Sequence, residues 1–227
     1  MAYCGEHTAV KSSRDQATIV TLRCKSWTCP ECREQRQDQL IAQAIGGKPN
    51  KFLTLTSRRV EGITPEQAAK RLSWAWRVCR LRLMRHYKLK ELPFLAVVER
   101  HLSGWPHMHV LLRSPWLDQR LISKWMAELC DGPRVWIVAL QDAGRAAVYC
   151  SKYAGKCVQK VGTTKRYWQT RDYDQREKPE DLVKNRPGEG WELWQKNLEH
   201  MIHCFETWGY SVKRKSYIRA EAQKIPP

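Results

Sequence analysis

Gly104-Trp105-Pro106-His107-Met108-His109-Val110-Leu111-Leu112 is the stretch whose reading decides the fold. A Gly/Pro turn leads into an apolar run, and side chains alternate along a strand, so His107 and His109 share one face while Met108 takes the other. Two imidazoles at that spacing form a ready chelate, against the plainer reading of a half-buried edge strand. Upstream, Phe94-Leu95-Ala96-Val97-Val98-Glu99 reads as a second strand, with Glu99 on the face opposite Phe94, Ala96 and Val98. A short hairpin between the two strands predicts Glu99 beside the histidines, a candidate metal site of two imidazoles and one carboxylate.

Downstream, Tyr149-Cys150-Ser151-Lys152-Tyr153-Ala154-Gly155-Lys156 sets two phenols four residues apart, with Lys152 and Lys156 each three beyond a phenol. On a helix all four share one face. Beside a metal held by His107, His109 and Glu99 this constellation suits a phosphodiester. An ion polarises phosphorus, a phenol is both a usable nucleophile and a reasonable leaving group, and the lysines neutralise phosphate and lower the phenol pKa.

Around these motifs the elements run strand, helix, strand, strand, helix, strand. Lys51-Phe52-Leu53-Thr54-Leu55-Thr56 alternates leucine with threonine, so Thr54 and Thr56 line a polar face, and Arg58 and Arg59 follow it. Thr64-Pro65-Glu66-Gln67 is a capping box with proline at the first helical position. From it Ala69, Leu72, Trp76, Cys79, Leu83 and Tyr87 recur at helical period. A second amphipathic helix spans 117–130, Asp131-Gly132-Pro133 ends it, and Val135-Trp136-Ile137-Val138-Ala139-Leu140 is an apolar strand. This order predicts an α+β fold: a ferredoxin- or RRM-like antiparallel sheet with helices on one face and the other free for a ligand. Arg166-Tyr167-Trp168-Gln169-Thr170 adds a further strand. Residues 172–190 read as a linker, and a last helix sets Trp191, Trp194, Leu198, Ile202 and Phe205 along one side. The tail around Lys213-Arg214-Lys215 reads as basic and loose.

Cys24, Cys29 and Cys32 form C-x4-C-x2-C, with Cys4 upstream. Thiolates at such spacing wrap one tetrahedral ion, which predicts a structural zinc knuckle at Cys4, Cys24, Cys29 and Cys32, with His7 in place of Cys4 as the variant. Cys79, Cys130, Cys150, Cys157 and Cys204 lack partners at ligand spacing and read as buried thiols.

Forty Lys and Arg against 23 Asp and Glu give a formal net charge of +17 in 227 residues, a surface that condenses onto a polyanion by releasing counterions. Nucleic acid is the expected partner. Most of the eleven tryptophans read as core; Trp105, beside the histidines, and Trp168, in a basic segment, are the expected base-stacking exceptions. With Thr54, Thr56, Arg58, Arg59 and Arg166 they make up the expected DNA-contacting set. No apolar signal-peptide region follows Met1 and no run approaches membrane-spanning length, so a cytoplasmic protein is expected. Two other readings stay open: the facial triad of a non-haem iron oxygenase, which leaves the phenols, lysines and charge unexplained, and a zinc-containing module that holds single strands without cutting them.

Together the strand of Thr54 and Thr56, the Glu99 to His109 hairpin and the Tyr149 to Lys156 segment resemble the HUH endonucleases, named for histidine-hydrophobe-histidine. The likeness is strongest to the two-tyrosine branch, which includes gene A type replication initiators of small single-stranded DNA phages. The cysteine knuckle is similar to the N-terminal segment of phage members. The resemblance implies a nickase that cuts one strand at an origin, stays linked to the 5′ phosphate through Tyr149 or Tyr153, and leaves a 3′ hydroxyl for rolling-circle replication. A transposase or relaxase use of the same chemistry is the alternative. The resemblance also implies magnesium or manganese at the histidines, and a host helicase and polymerase as partners, since no G-x-x-x-x-G-K-[ST] occurs. The expected organisation is a knuckle and helix over residues 1–46, the endonuclease domain over 47–170, and a linker, helix and basic tail over 171–227.

Overall fold

Leucine alternating with threonine gives the first strand of the site-bearing sheet, and the packing of that sheet organises the middle of the chain. The computed structural model describes residues 4–100, 103–131, 134–142, 144, 161–176, 190–216 and 219–226. These fold as a mixed α/β protein with two antiparallel five-stranded sheets and four helices. The chain divides into two units, residues 1–33 with 178–227, and residues 34–177.

In the central unit, β3 (Lys51–Thr56), β4 (Phe94–Arg100), β5 (Pro106–Leu112), β6 (Arg134–Ala139) and β7 (Tyr167–Gln169) lie in the order β6-β3-β5-β4-β7. Helix α2 (Pro65–His86) joins β3 to β4, and α3 (Gln119–Cys130) joins β5 to β6. The start of α2 is the capping box read from the sequence: Gln67 N–H donates to Thr64 Oγ1 at 3.2 Å and Thr64 N–H to Gln67 Oε1 at 2.8 Å. Helix α3 starts where Asp118 accepts from the Arg120 amide at 2.8 Å, and ends at Asp131, whose φ of 57° is left-handed. One sheet face, through Leu53, Leu55, Ala96, Val98, Met108 and Val110, packs with Leu72, Trp76, Cys79 and Leu83 of α2 and Ile122 and Met126 of α3. Burial raises the thiols of Cys79 and Cys130 to about 12, so both are inert core residues, as read from the sequence.

Helix α1 (Pro30–Gly46) starts earlier than the sequence indicates, inside the cysteine motif, and the boundary between the two units falls within it. Leu40 and Ala44 are its buried apolar residues, while Ile45 is exposed. Beyond β7 the chain is locked in place. Fully buried Tyr173 donates its hydroxyl to the Ala44 carbonyl at 2.9 Å, and Arg113 donates to the carbonyls of Gly47 at 2.7 Å and Asp172 at 2.8 Å.

The terminal unit holds the second sheet: β1 (Thr8–Ser12), β2 (Gln16–Thr21), β8 (Glu192–Trp194), β9 (Tyr210–Ser216) and β10 (Arg219–Lys224), in the order β8-β1-β2-β10-β9. Helix α4 (Leu198–Thr207) packs Leu198, Met201 and Phe205 against Val10, Ile19, Ala220 and Ala222. Three sequence expectations are corrected here. The N-terminal segment carries a hairpin as well as cysteines. Trp191 and Trp194 are not on the last helix, because Asn197 caps it by accepting from the His200 amide at 2.8 Å, and residues 192–194 pair with β1 instead. The basic tail is not loose: β10 lies between β2 and β9, burying Ala220 and Ala222 while Arg219, Glu221 and Gln223 alternate on the other side.

Candidate functional site

The open chemistry lies on the face of the central sheet opposite the α2–α3 core. Cross-strand partners in an antiparallel sheet project to the same side. Glu99 pairs with His107, His107 with Thr56, His109 with Thr54, and Val97 with His109, so the three candidate ligands and both threonines share one face. The turn that delivers them includes Gly104 at φ 78°. It is fixed by Trp105, whose indole N–H donates to the Arg58 carbonyl at 2.7 Å, and by Arg59, whose guanidinium donates to the Ser103 carbonyl at 2.6 Å.

His109 Nε2 lies 3.0 Å from Glu99 Oε1, and both side chains are largely buried. On the other side of each ring a hydroxyl stands at Nδ1: Thr54 Oγ1 at 3.2 Å from His109 Nδ1, and Thr56 Oγ1 at 3.2 Å from His107 Nδ1. Phe52 stacks on His109 with ring centroids 5.3 Å apart and planes 17° apart. A metal-ligating imidazole carries its proton on the nitrogen turned away from the ion, and an oxygen acceptor there fixes the ring and raises its basicity. The threonines occupy that position for both histidines, so the donor set suits an oxygen-loving divalent ion bound through Nε2 and carboxylate. The donor atoms of Glu99, His107 and His109 are nevertheless not gathered as tightly as the cysteine cluster described below, and the two imidazole centroids are 6.4 Å apart.

Other residues expected from the sequence stand differently. Thr54 and Thr56, expected on a polar face turned to substrate, engage the histidines. Trp105 is only 9% exposed and is a packing residue, not a stacking platform. Trp168 packs partly buried against the central core, and the Arg166 carbonyl accepts from the Val98 amide at 2.8 Å, extending the pairing of β4 with β7. Arg58 and Arg59 are exposed. Tyr149, Lys152, Tyr153 and Lys156 lie outside the described residues, as do Cys150 and Cys157.

The terminal unit gathers Cys4, Cys24, Cys29 and Cys32 with their sulfurs all within 4.8 Å of one another, and among the described residues this is the one group of three or more candidate ligands so close. Cys4 Sγ is 3.3 Å from Cys32 Sγ, and Cys24 Sγ is 3.7 Å from it. Tetrahedral thiolates at a zinc–sulfur length of about 2.3 Å stand roughly 3.8 Å apart, so the cluster has the size of a zinc site. Backbone amides serve as supports: Cys24 N–H donates to Cys4 Sγ and Ser26 N–H to Cys24 Sγ, each at 3.4 Å. Burial acts to raise the Cys4 thiol, but the Cys24 amide and the neighbouring thiols outweigh it and bring it to about 7. Burial, then Cys4 and Cys24, push Cys32 to about 12. The fourth ligand is thus Cys4, and His7 is not among the four.

Residues 50–158 match the family model for the replication-associated protein ORF2, a span that runs from the start of β3 through the histidine hairpin and β6. The match supports a replication-initiator role and, with it, DNA as a partner and endonuclease chemistry. No curated protein and no solved structure matches the chain. Among the described residues no helix is long and apolar enough to cross a membrane.

Proposed function

We propose that the protein is a metal-dependent, site-specific nickase and ligase of single-stranded DNA that initiates and terminates rolling-circle replication through a 5′-phosphotyrosyl intermediate. The observation that carries this reading is the pair of imidazoles oriented by Thr54 and Thr56 beside Glu99, inside the span matched to replication-associated proteins. The strand order β6-β3-β5-β4, with α2 and α3 as crossovers, supports a ferredoxin-like HUH arrangement.

In the proposed reaction Glu99, His107 and His109 hold magnesium or manganese, which when bound polarises the scissile phosphate. The phenolic oxygen of Tyr149 or Tyr153 attacks phosphorus, the P–O3′ bond breaks, and the 3′ oxygen leaves with a proton as a free hydroxyl. Attack of a 3′ hydroxyl on the phosphotyrosine reverses the step and seals the strand, so no water is consumed. Lys152 and Lys156 neutralise the phosphate. The second tyrosine accepts the strand at termination. The cysteine cluster holds structural zinc, the net charge of +17 draws in the strand, and a host helicase and polymerase in the host cytoplasm complete replication.

Incubating the protein with single strands from its cognate replicon and manganese, then resolving the products on a denaturing gel, tests this. A covalent upward shift that EDTA removes is expected, and Tyr149→Phe with Tyr153→Phe abolishes it while DNA retention in a native gel persists. Phosphotyrosyl product from the double variant overturns the tyrosine assignment, and retention without any covalent product favours a binding module.

A further inference from the structure

The edge strand beside the histidines carries a side chain that its apolar sequence context assigns to the interior. In β6, Val135 and Ile137 face the α2–α3 core, while Arg134, Trp136 and Val138 are exposed, Trp136 to 63%. Trp136 pairs with Thr54, which pairs with His109; Arg134 pairs with Thr56, which pairs with His107. Trp136 and Arg134 therefore stand on the same sheet face as the candidate metal ligands, two strands away, roughly 10 Å at the usual strand spacing.

We propose that Trp136 is a stacking platform for a base of the single strand next to the scissile phosphate, with Arg134 as a backbone phosphate contact beside it. The inference rests on the proposed function for the identity of the strand. A tryptophan left more than half in water at a sheet edge loses the burial that normally offsets its exposure, and its partner must supply a flat apolar face. The partner must also be anionic, because the neighbouring side chain is a guanidinium and the whole chain carries +17. A nucleic acid strand offers both at once: every base has a π-face, and every step has a phosphate. Its placement in the same cross-strand rows as Thr54, Thr56 and the histidines makes it a positioning residue for the nicking reaction, whereas Trp105, nearer in sequence to the histidines, is buried.

Stacking and charge are separable by salt. A fluorescein-labelled oligothymidylate is titrated with protein in EDTA, which prevents cleavage, and anisotropy is followed over a series of salt concentrations. Trp136→Ala is expected to bind about 5- to 150-fold more weakly than wild type, with an unchanged slope of log affinity against log salt. Trp136→Phe recovers most of the loss. Arg134→Ala flattens the slope by about 0.7. Trp116→Ala serves as the control, because Trp116 is 69% exposed beyond the far end of β5 and should bind as wild type does. Unchanged affinity in Trp136→Ala, as expected if Trp136 serves a protein strand added to the edge of β6, overturns the inference and leaves the proposed function standing. An equal loss in Trp116→Ala overturns it too. Wild-type protein that fails to hold the oligonucleotide overturns both.

Discussion

The two donor sets are built on opposite plans. Cys4, Cys24, Cys29 and Cys32 come from the segment before β1, the loop after β2 and the first turn of α1, and their sulfurs crowd within 4.8 Å of one another with backbone amides behind them. Glu99, His107 and His109 come from two adjacent strands, with their spacing set by the ladder and not by each other. The first arrangement supplies all four corners of a tetrahedron and leaves no position for a substrate, which is how structural zinc is held. The second supplies one side of a coordination sphere and leaves the rest open, which is what phosphate chemistry requires. Rigidity also comes from different sources: the ion itself would order the cysteine loops, whereas the sheet, Thr54, Thr56 and Phe52 orient the imidazoles whether or not an ion is present.

The largest effect is expected where an ion would replace a core. Cys29→Ser removes one of four ligands, so metal analysis should find about one zinc in wild type and almost none in the variant. The loss of several kcal/mol then lowers the melting temperature by on the order of 10 °C. Equal zinc content in the two proteins would remove the contrast between the sites, because the cluster would then be a group of ordinary thiols.

An intermediate effect belongs to the open site. Thr54→Val keeps the shape of the strand and deletes the hydroxyl at His109 Nδ1. Loss of such a supporting contact typically costs 10- to 100-fold in metal affinity or activity, so manganese-dependent nicking should fall by about that factor. Leaving the ring nitrogen without its partner costs about 1 kcal/mol, or roughly 2 to 4 °C in melting temperature. Activity thus falls far more than stability, the reverse of Cys29→Ser. A variant that nicks as fast as wild type would show that the sheet alone orients the imidazoles.

The legibility of each region in the sequence follows the range of the interaction that made it. The cysteine motif, the capping box at Thr64 and the His107 to His109 repeat are local, and the structure places them as their spacing implies. The pairing of Glu99 with His107 was legible because one short turn joins their strands. What escaped was set by distant partners. The strand at residues 192–194 exists because β1 pairs with it across most of the chain, and β10 exists because Ala220 and Ala222 find Ile19 and Phe205. Charge masked the period of two in the tail, since Arg219, Glu221 and Gln223 alternate with two alanines too small to read as a core. Apolarity misled at Trp136 for the opposite reason: an apolar strand at the edge of a sheet has one face with nothing packed on it.

The smallest effect concerns the approach to the open site. Glu66, in the first turn of α2, accepts from the Thr163 amide at 3.0 Å, and Gly162 beside it leaves no room for a Cβ against that carboxylate. The contact holds the chain just after the segment proposed to carry the phenols, so it connects the helix scaffold to the catalytic side. The Thr163 amide, followed by Lys70, holds the Glu66 carboxyl below its ordinary value of 4.5. A folded pKa below the unfolded one means that ionisation favours the folded state. The contribution is therefore complete above about pH 4.5 and is lost as pH falls through the lower folded value. The Glu66 side chain is well open to water, so solvent screening keeps the effect small. Melting temperatures of wild type and Glu66→Gln, measured down a pH series, should differ by a small constant amount near neutrality and converge in acid. A gap that widens as pH falls would mean that the protonated carboxyl makes the contact. If the gap has the expected form and nicking slows in Glu66→Gln with metal affinity unchanged, the segment after the phenols is held from α2, and the open site depends on that anchor as well as on its ligands.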